Sequence, residues 1–120
     1  MREGSTFMDT KVNRKVKCLE TLIANIGTKD FPLQKIILFG SFATKQFNER
    51  SDLDLCLVHE ADKEPACREK VEIEAYIDNF VGDEMDVDFL YTTLNKLEEG
   101  NQVFESIRKE GLVLWEHSGI

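Results

Sequence analysis

No run of apolar residues in this 120-residue chain approaches the roughly 18 to 20 that a membrane-spanning helix needs. The opening MREGSTFMDTK lacks the apolar stretch of a secretory signal, and a cytoplasmic protein is expected. Cysteine is scarce. Cys18, Cys56 and Cys67 are odd in number and show no C-x-x-C spacing, so neither a disulfide framework nor a zinc site is indicated. Cys56 lies inside an apolar run and reads as a small buried hydrophobe. The two histidines, His59 and His117, stand alone and suggest no metal site. Basic residues are also in deficit, 15 against 23 acidic ones for a formal charge of −8. Tight nucleic-acid binding draws on Lys and Arg at phosphates. This balance disfavours nucleic acid as a direct tight ligand and favours a small-molecule or protein acceptor, or a basic partner.

What remains has the composition of a globular domain, 42% hydrophobic and 32% charged, with no repeat, linker or low-complexity stretch. A single domain over 9–120 is expected, behind a loose leader over 1–8. A first helix starts near Asp9 or Thr10, with Val12, Val16, Leu19, Leu22, Ile23 and Ile26 at three- and four-residue steps and Gly27 at its end. Its stripe can pack on a sheet or form a seam between copies, so homo- or hetero-oligomers stay open. Lys35 to Phe39 reads as a short buried strand stopped by Gly40, and Asp52 to Val58 as a second. A helix starting between Asp62 and Pro65 carries Ala66, Ile73, Ile77 and Phe80 on one face and stops before Gly82. Its acidic residues Glu69, Glu72 and Glu74 read as a solvated face. Met85 to Tyr91 is a third strand, Asn101 to Glu110 a helix with Val103, Phe104 and Ile107 inward, and Leu112 to Trp115 a last strand. Trp115 reads as packing. The order predicts an α/β (α+β) fold with a mixed sheet of about four strands and flanking helices.

The chemistry lies in one constellation: Gly40-Ser41, ten intervening residues, Asp52-Leu53-Asp54, and later Val87-Asp88-Phe89. Residues two apart on a strand share a face, about 7 Å apart. Asp52 and Asp54 therefore project together, and Asp88 joins them if the third strand lies beside the second. Carboxylates gathered this way repel, by about 4 kcal/mol for two unit charges at 4 Å and an effective dielectric near 20. Such a triangle suits a hard cation, Mg²⁺ or Mn²⁺, and two such ions can serve an in-line phosphoryl displacement. Gly40-Ser41, directly after a strand, supplies a tight turn whose backbone N–H groups and Ser41 hydroxyl can meet a triphosphate.

These residues resemble a known family. Leu38-Phe39-Gly40-Ser41, the ten-residue gap, Ser51-Asp52-Leu53-Asp54-Leu55 and Asp86-Val87-Asp88-Phe89-Leu90 are similar to the minimal nucleotidyltransferases (MNT) of the DNA polymerase β-like superfamily. The likeness extends to Ile107 through Glu116. It implies a nucleotidyltransferase fold in which Asp52 and Asp54 bind two Mg²⁺ ions and Asp88 binds the catalytic one and helps activate the attacking hydroxyl. Gly40 and Ser41 would hold the triphosphate. Asp88, in place of neighbouring Asp86, is assigned because it occupies the family's Val-Asp-hydrophobic position.

Minimal members are often paired with a HEPN-domain protein as antitoxin and toxin, and some transfer AMP from ATP to a tyrosine of that partner. The resemblance therefore implies ATP or another NTP as ligand and a HEPN partner as acceptor. The chain departs from the family where many relatives carry arginines after Gly-Ser: here stand Phe42-Ala43-Thr44. Lys45 is the candidate to supply the missing phosphate charge, with Arg50 behind it. A non-catalytic module that neutralises a HEPN ribonuclease by contact is one alternative. A transferase acting on a small molecule or an RNA end is another.

Overall fold

The structure, a computed structural model, describes residues 7–99 and 102–117. Residues 1–6 of the expected leader, Asn101 and the side chain of Val103 lie outside the described residues. Helix α1 spans Phe7–Ile26, β1 Lys35–Phe39, α2 Ser41–Thr44, β2 Leu53–His59 and α3 Cys67–Val81. They are followed by β3 Val87–Thr93, α4 Leu94–Glu98, α5 Gln102–Glu110 and β4 Leu112–Glu116. The four strands form one mixed sheet in the order β3-β2-β1-β4. β1 runs antiparallel to β2 and β4, whereas β2 and β3 are parallel.

Two apolar layers sandwich the sheet. On one face Leu19, Leu22 and Ile26 of α1 and Ile73, Ile77 and Val81 of α3 pack on Ile36, Leu38, Leu55 and Leu57. The first helix thus packs on the sheet. Trp115 belongs to this core and donates from Nε1 to the Lys29 carbonyl at 2.8 Å, which satisfies its one polar atom. The opposite face is thinner, with Ile37, Cys56 and Val58 under Leu97 and Ile107. Cys56 is fully buried, and burial pushes its thiol pKa up to about 11. Strand β2 is inward-facing on both sides, which is why it reads as a continuous apolar run.

Several boundaries move. Helix α1 spans Phe7–Ile26, so Asp9 and Thr10 lie within it and not at its start. Strands β2 and β3 begin one and two residues later than expected and end later. Helix α3 begins at Cys67 after the extended N-cap residue Ala66, so Pro65 lies before the first turn. Pro65 is the buried residue and Ala66 the exposed one. The Glu69 carboxylate accepts from the Ala66 N–H at 2.9 Å, a reach-back that fixes the start. Two short helices, α2 and α4, were below the length at which periodicity is visible. Among the described residues, no helix is long and apolar enough to cross a membrane.

Candidate active site

The site forms where the C-terminal end of β1 meets the N-terminal ends of β2 and β3. Antiparallel register places Phe39 opposite Asp54, and parallel register places Asp54 beside Asp88. Every residue of β2 is buried except Asp54, which is half-buried where the cover of α4 and α5 gives out. Asp88 and Asp52 are exposed. Asp52 precedes the strand and is held between the Ser51 carbonyl and the Leu53 N–H, which donates to the Asp86 carbonyl at 2.9 Å.

Three expected carboxylates are therefore neighbours, but unequally. Burial raises the pKa of Asp54 above its usual range, and the charge and hydrogen bonding of Asp88 add to this, followed by the charge of Asp52. Asp54 and Asp88 form a close pair with Asp52 a more distant third. Among the described residues no three His, Cys, Asp or Glu side chains stand ready as a metal cage. Like charges without a cation spread apart, and exposed Asp52 exerts the smallest of these influences on Asp54. Asp86 precedes β3 and contributes its backbone carbonyl to the Leu53 N–H.

Gly40 is the hinge between strand and site. Its backbone lies at φ 76°, ψ −155°, a region that only glycine occupies readily. A Cβ there would stand 2.2 Å from Asp54 Oδ2, so the missing side chain is the space into which the carboxylate projects. The Gly40 carbonyl accepts from Ala43 and Thr44 at 3.1 and 3.2 Å. The N–H groups of Ser41 and Phe42 open the helical turn and have no carbonyl one turn upstream. Ser41 is half-buried beside them. Phe42 is buried and stacks on Phe47 with centroids 4.7 Å apart, anchoring this turn from below. Lys45 ends it in the left-handed conformation at φ 63°, exposed, with its N–H on the Ser41 carbonyl.

Other singled-out residues have structural work. His59 is buried, with Nδ1 at 2.7 Å from the Glu60 carbonyl, at the far end of β2. Glu74 accepts from the Tyr91 hydroxyl at 2.7 Å, whereas Glu72 is solvated. The residue missed in the sequence is Lys15, buried in α1 and bonded to the loop that leads into Asp52. Its signal was a cation one turn before Leu19 on the helix's apolar stripe.

The family model for the nucleotidyltransferase domain matches residues 21–114. No curated protein sequence matches the chain. The fold is shared with a crystal structure of a toxin-antitoxin with AMP-PNP, at TM-score 0.50 and 22% identity, over 88% of this chain and 73% of that one. It is shared also with a Sulfolobus solfataricus protein classed as a nucleotidyltransferase, at TM-score 0.51 and 20% identity, over 99% of this chain and 95% of that one.

Proposed function

The chain belongs to the nucleotidyltransferase domain family, and from that premise we propose that it transfers AMP from ATP to a hydroxyl of a protein partner, a HEPN-type toxin, as its antitoxin. The observation that carries the reading is the Asp54–Asp88 pair in parallel register beside Gly40, with Asp52 next to it. A toxin-antitoxin of the same fold has been crystallised with AMP-PNP, which supports an adenine nucleotide. Asp52 and Asp88 are exposed, so a large acceptor can approach them. The charge of −8 disfavours nucleic acid in that role.

The donor set fits Mg²⁺ or Mn²⁺: three carboxylates, of which Asp54 is made less acidic by burial first and then by Asp88 and Asp52, with its oxygen projecting into the space that a Cβ at Gly40 would fill. Asp52 and Asp54 would hold two ions and Asp88 the one nearer the acceptor. Bound there, the ions would neutralise charge on the α-phosphate and the leaving pyrophosphate. The N–H groups of Ser41 and Phe42, which open the helical turn, and the Ser41 hydroxyl would orient the β- and γ-phosphates. The acceptor oxygen attacks the α-phosphorus, its proton passes to Asp88, and the bond to the bridging oxygen breaks to release pyrophosphate.

Label transfer from α-labelled ATP to a co-purified partner tests this. Asp88→Asn is expected to lower it by roughly 10²-fold or more, the scale of several kcal/mol of lost charge stabilisation. Equal labelling by wild type and Asp88→Asn, on every acceptor tried, would remove the enzymatic reading. A contact-only antitoxin is favoured by one observation, the Phe42-Ala43-Thr44 run that leaves the phosphate end short of charge. Under that alternative, Asp52→Asn would still rescue cells from the toxin.

Lys45 is assigned to the triphosphate. Lys45→Gly separates its charge from its backbone: glycine relieves the left-handed conformation, worth about 1 kcal/mol, while removing the ammonium. The variant is expected to melt higher and to raise the KM for ATP about 10-fold, the scale of one charge-assisted hydrogen bond. An unchanged KM with the higher melting temperature would leave Lys45 a cap only.

A further inference from the structure

Helix α1 buries one stripe at steps of four, three and four residues: Lys15, Leu19, Leu22 and Ile26. Lys15 is 6% exposed. Its Nζ donates to the carbonyls of Glu49 at 2.6 Å and Ser51 at 2.7 Å. Among the described residues no carboxylate forms an ion pair with it. An ammonium so placed loses its hydration, and two neutral carbonyls offset that loss less fully than a carboxylate would. If this position served the core alone, an aliphatic side chain would fill it at lower cost.

The ammonium instead acts on the segment that enters the site. The loop is tied to itself: the Asn48 N–H donates to Ser51 Oγ at 2.8 Å, Ser51 N–H to the Asn48 carbonyl at 3.1 Å, and Arg50 N–H to Asn48 Oδ1 at 2.8 Å. Lys15 fastens this knot to α1. Asp52 follows Ser51 directly, and on its other side Leu53 is bonded to the Asp86 carbonyl. Its backbone is thus pinned on both sides, while its side chain is exposed. Lys15 lies outside residues 21–114, the span of the family match.

We propose that Lys15 is a positioning residue for nucleotidyl transfer: by holding the Glu49 and Ser51 carbonyls it sets the direction from which Asp52 brings its carboxylate to Asp54 and Asp88. The proposal rests on the reading that these three aspartates hold a divalent cation. It assigns to α1 a part in the site beyond packing.

Mn²⁺ binding to the protein without nucleotide, followed by the paramagnetic signal of free Mn²⁺, tests it, with amide hydrogen exchange at Ser51 and Leu53 read in parallel. Lys15→Met is expected to weaken Mn²⁺ binding about 10-fold, the scale of losing a group that orients a metal ligand, and to speed exchange at both amides. Lys15→Arg, whose fork can serve two carbonyls, should keep near-wild-type binding, as should Lys17→Met on the exposed side of α1. Mn²⁺ binding by Lys15→Met equal to wild type would overturn the proposal, and so would an equal loss in Lys17→Met. The wild-type chain provides a test that needs no variant. Ser51 and Leu53 should be protected before metal is added; protection that appears only with Mn²⁺ would also overturn it. If wild type, Asp52→Asn and Asp54→Asn all bind no Mn²⁺, the metal reading itself fails and the clamp falls with it. Binding by wild type and Lys15→Met alike removes the clamp alone.

Discussion

Asp54→Asn is expected to make the folded chain more stable at neutral pH in a chelator, while lowering nucleotidyl transfer by roughly 10²–10⁴-fold. Both effects come from one geometry. Burial, then the charge and hydrogen bonding of Asp88, then the charge of Asp52 hold the Asp54 pKa above its ordinary 3.8. Between that ordinary value and the raised folded one, the folded chain binds more protons than the unfolded chain. Stability contributed by this group is therefore greatest at low pH and falls as pH rises through the window. Above it, at neutral pH, ionised Asp54 is a standing cost to the fold. Asparagine removes the charge and keeps the shape. The comparison is a set of melting temperatures between about pH 4 and about pH 8, each in EDTA and in excess Mg²⁺. Wild type should fall behind Asp54→Asn as pH rises in EDTA, and Mg²⁺ should raise wild type far more than the variant. A variant that melts below wild type at neutral pH in EDTA would mean that the carboxylate is stabilising, and the strained-pair account would be wrong.

That pair was only half legible in the sequence. The alternation of Asp52 and Asp54 on an apolar strand, and their distance from Gly40-Ser41, placed two of the acids on one face. The third depended on which strand neighbours which. Asp86 and Asp88 share an alternation that cannot separate them; the family resemblance singled out Asp88, and the parallel register sets Asp88 beside Asp54 while Asp86 precedes the strand. Pairing partners and register are long-range facts that no local pattern carries.

The same limit explains the first helix. Val12, Val16 and Ile23 fit a helical stripe as well as the true one, yet Ile23 is 42% exposed and Lys15 is buried. The inward face runs through Lys15, Leu19, Leu22 and Ile26, because α1 packs beside α3 on the sheet and Lys15 meets the loop before Asp52. A lysine on an apolar stripe was readable; what it held was not. Helix α4 escaped notice because five residues make little more than one turn, announced only by the Thr93 hydroxyl accepting from Lys96 N–H at 3.1 Å.

Gly40→Ala should be the most damaging single-methyl change in the site. The position needs φ 76°, ψ −155°, which costs a non-glycine residue about 1–3 kcal/mol. The added Cβ would also stand 2.2 Å from Asp54 Oδ2 and 3.3 Å from Asp54 Cβ. One of the two must yield, and the carboxylate, at the end of a rotatable bond, yields first. Activity should then fall toward that of Asp54→Asn, while the urea midpoint drops by more than the backbone cost alone. A double-mutant cycle separates the contributions. In an Asp54→Ala background the oxygen is gone but Cβ remains, so the stability loss from Gly40→Ala should shrink toward the backbone cost. Its effect on activity should nearly vanish, because the carboxylate it displaced is already missing. Full additivity of the two changes in both measurements would show that Gly40 serves the turn alone. Non-additivity would tie the phosphate-side turn and the acidic pair into one unit, in which the glycine is space kept for the Asp54 carboxylate as much as a bend in the chain.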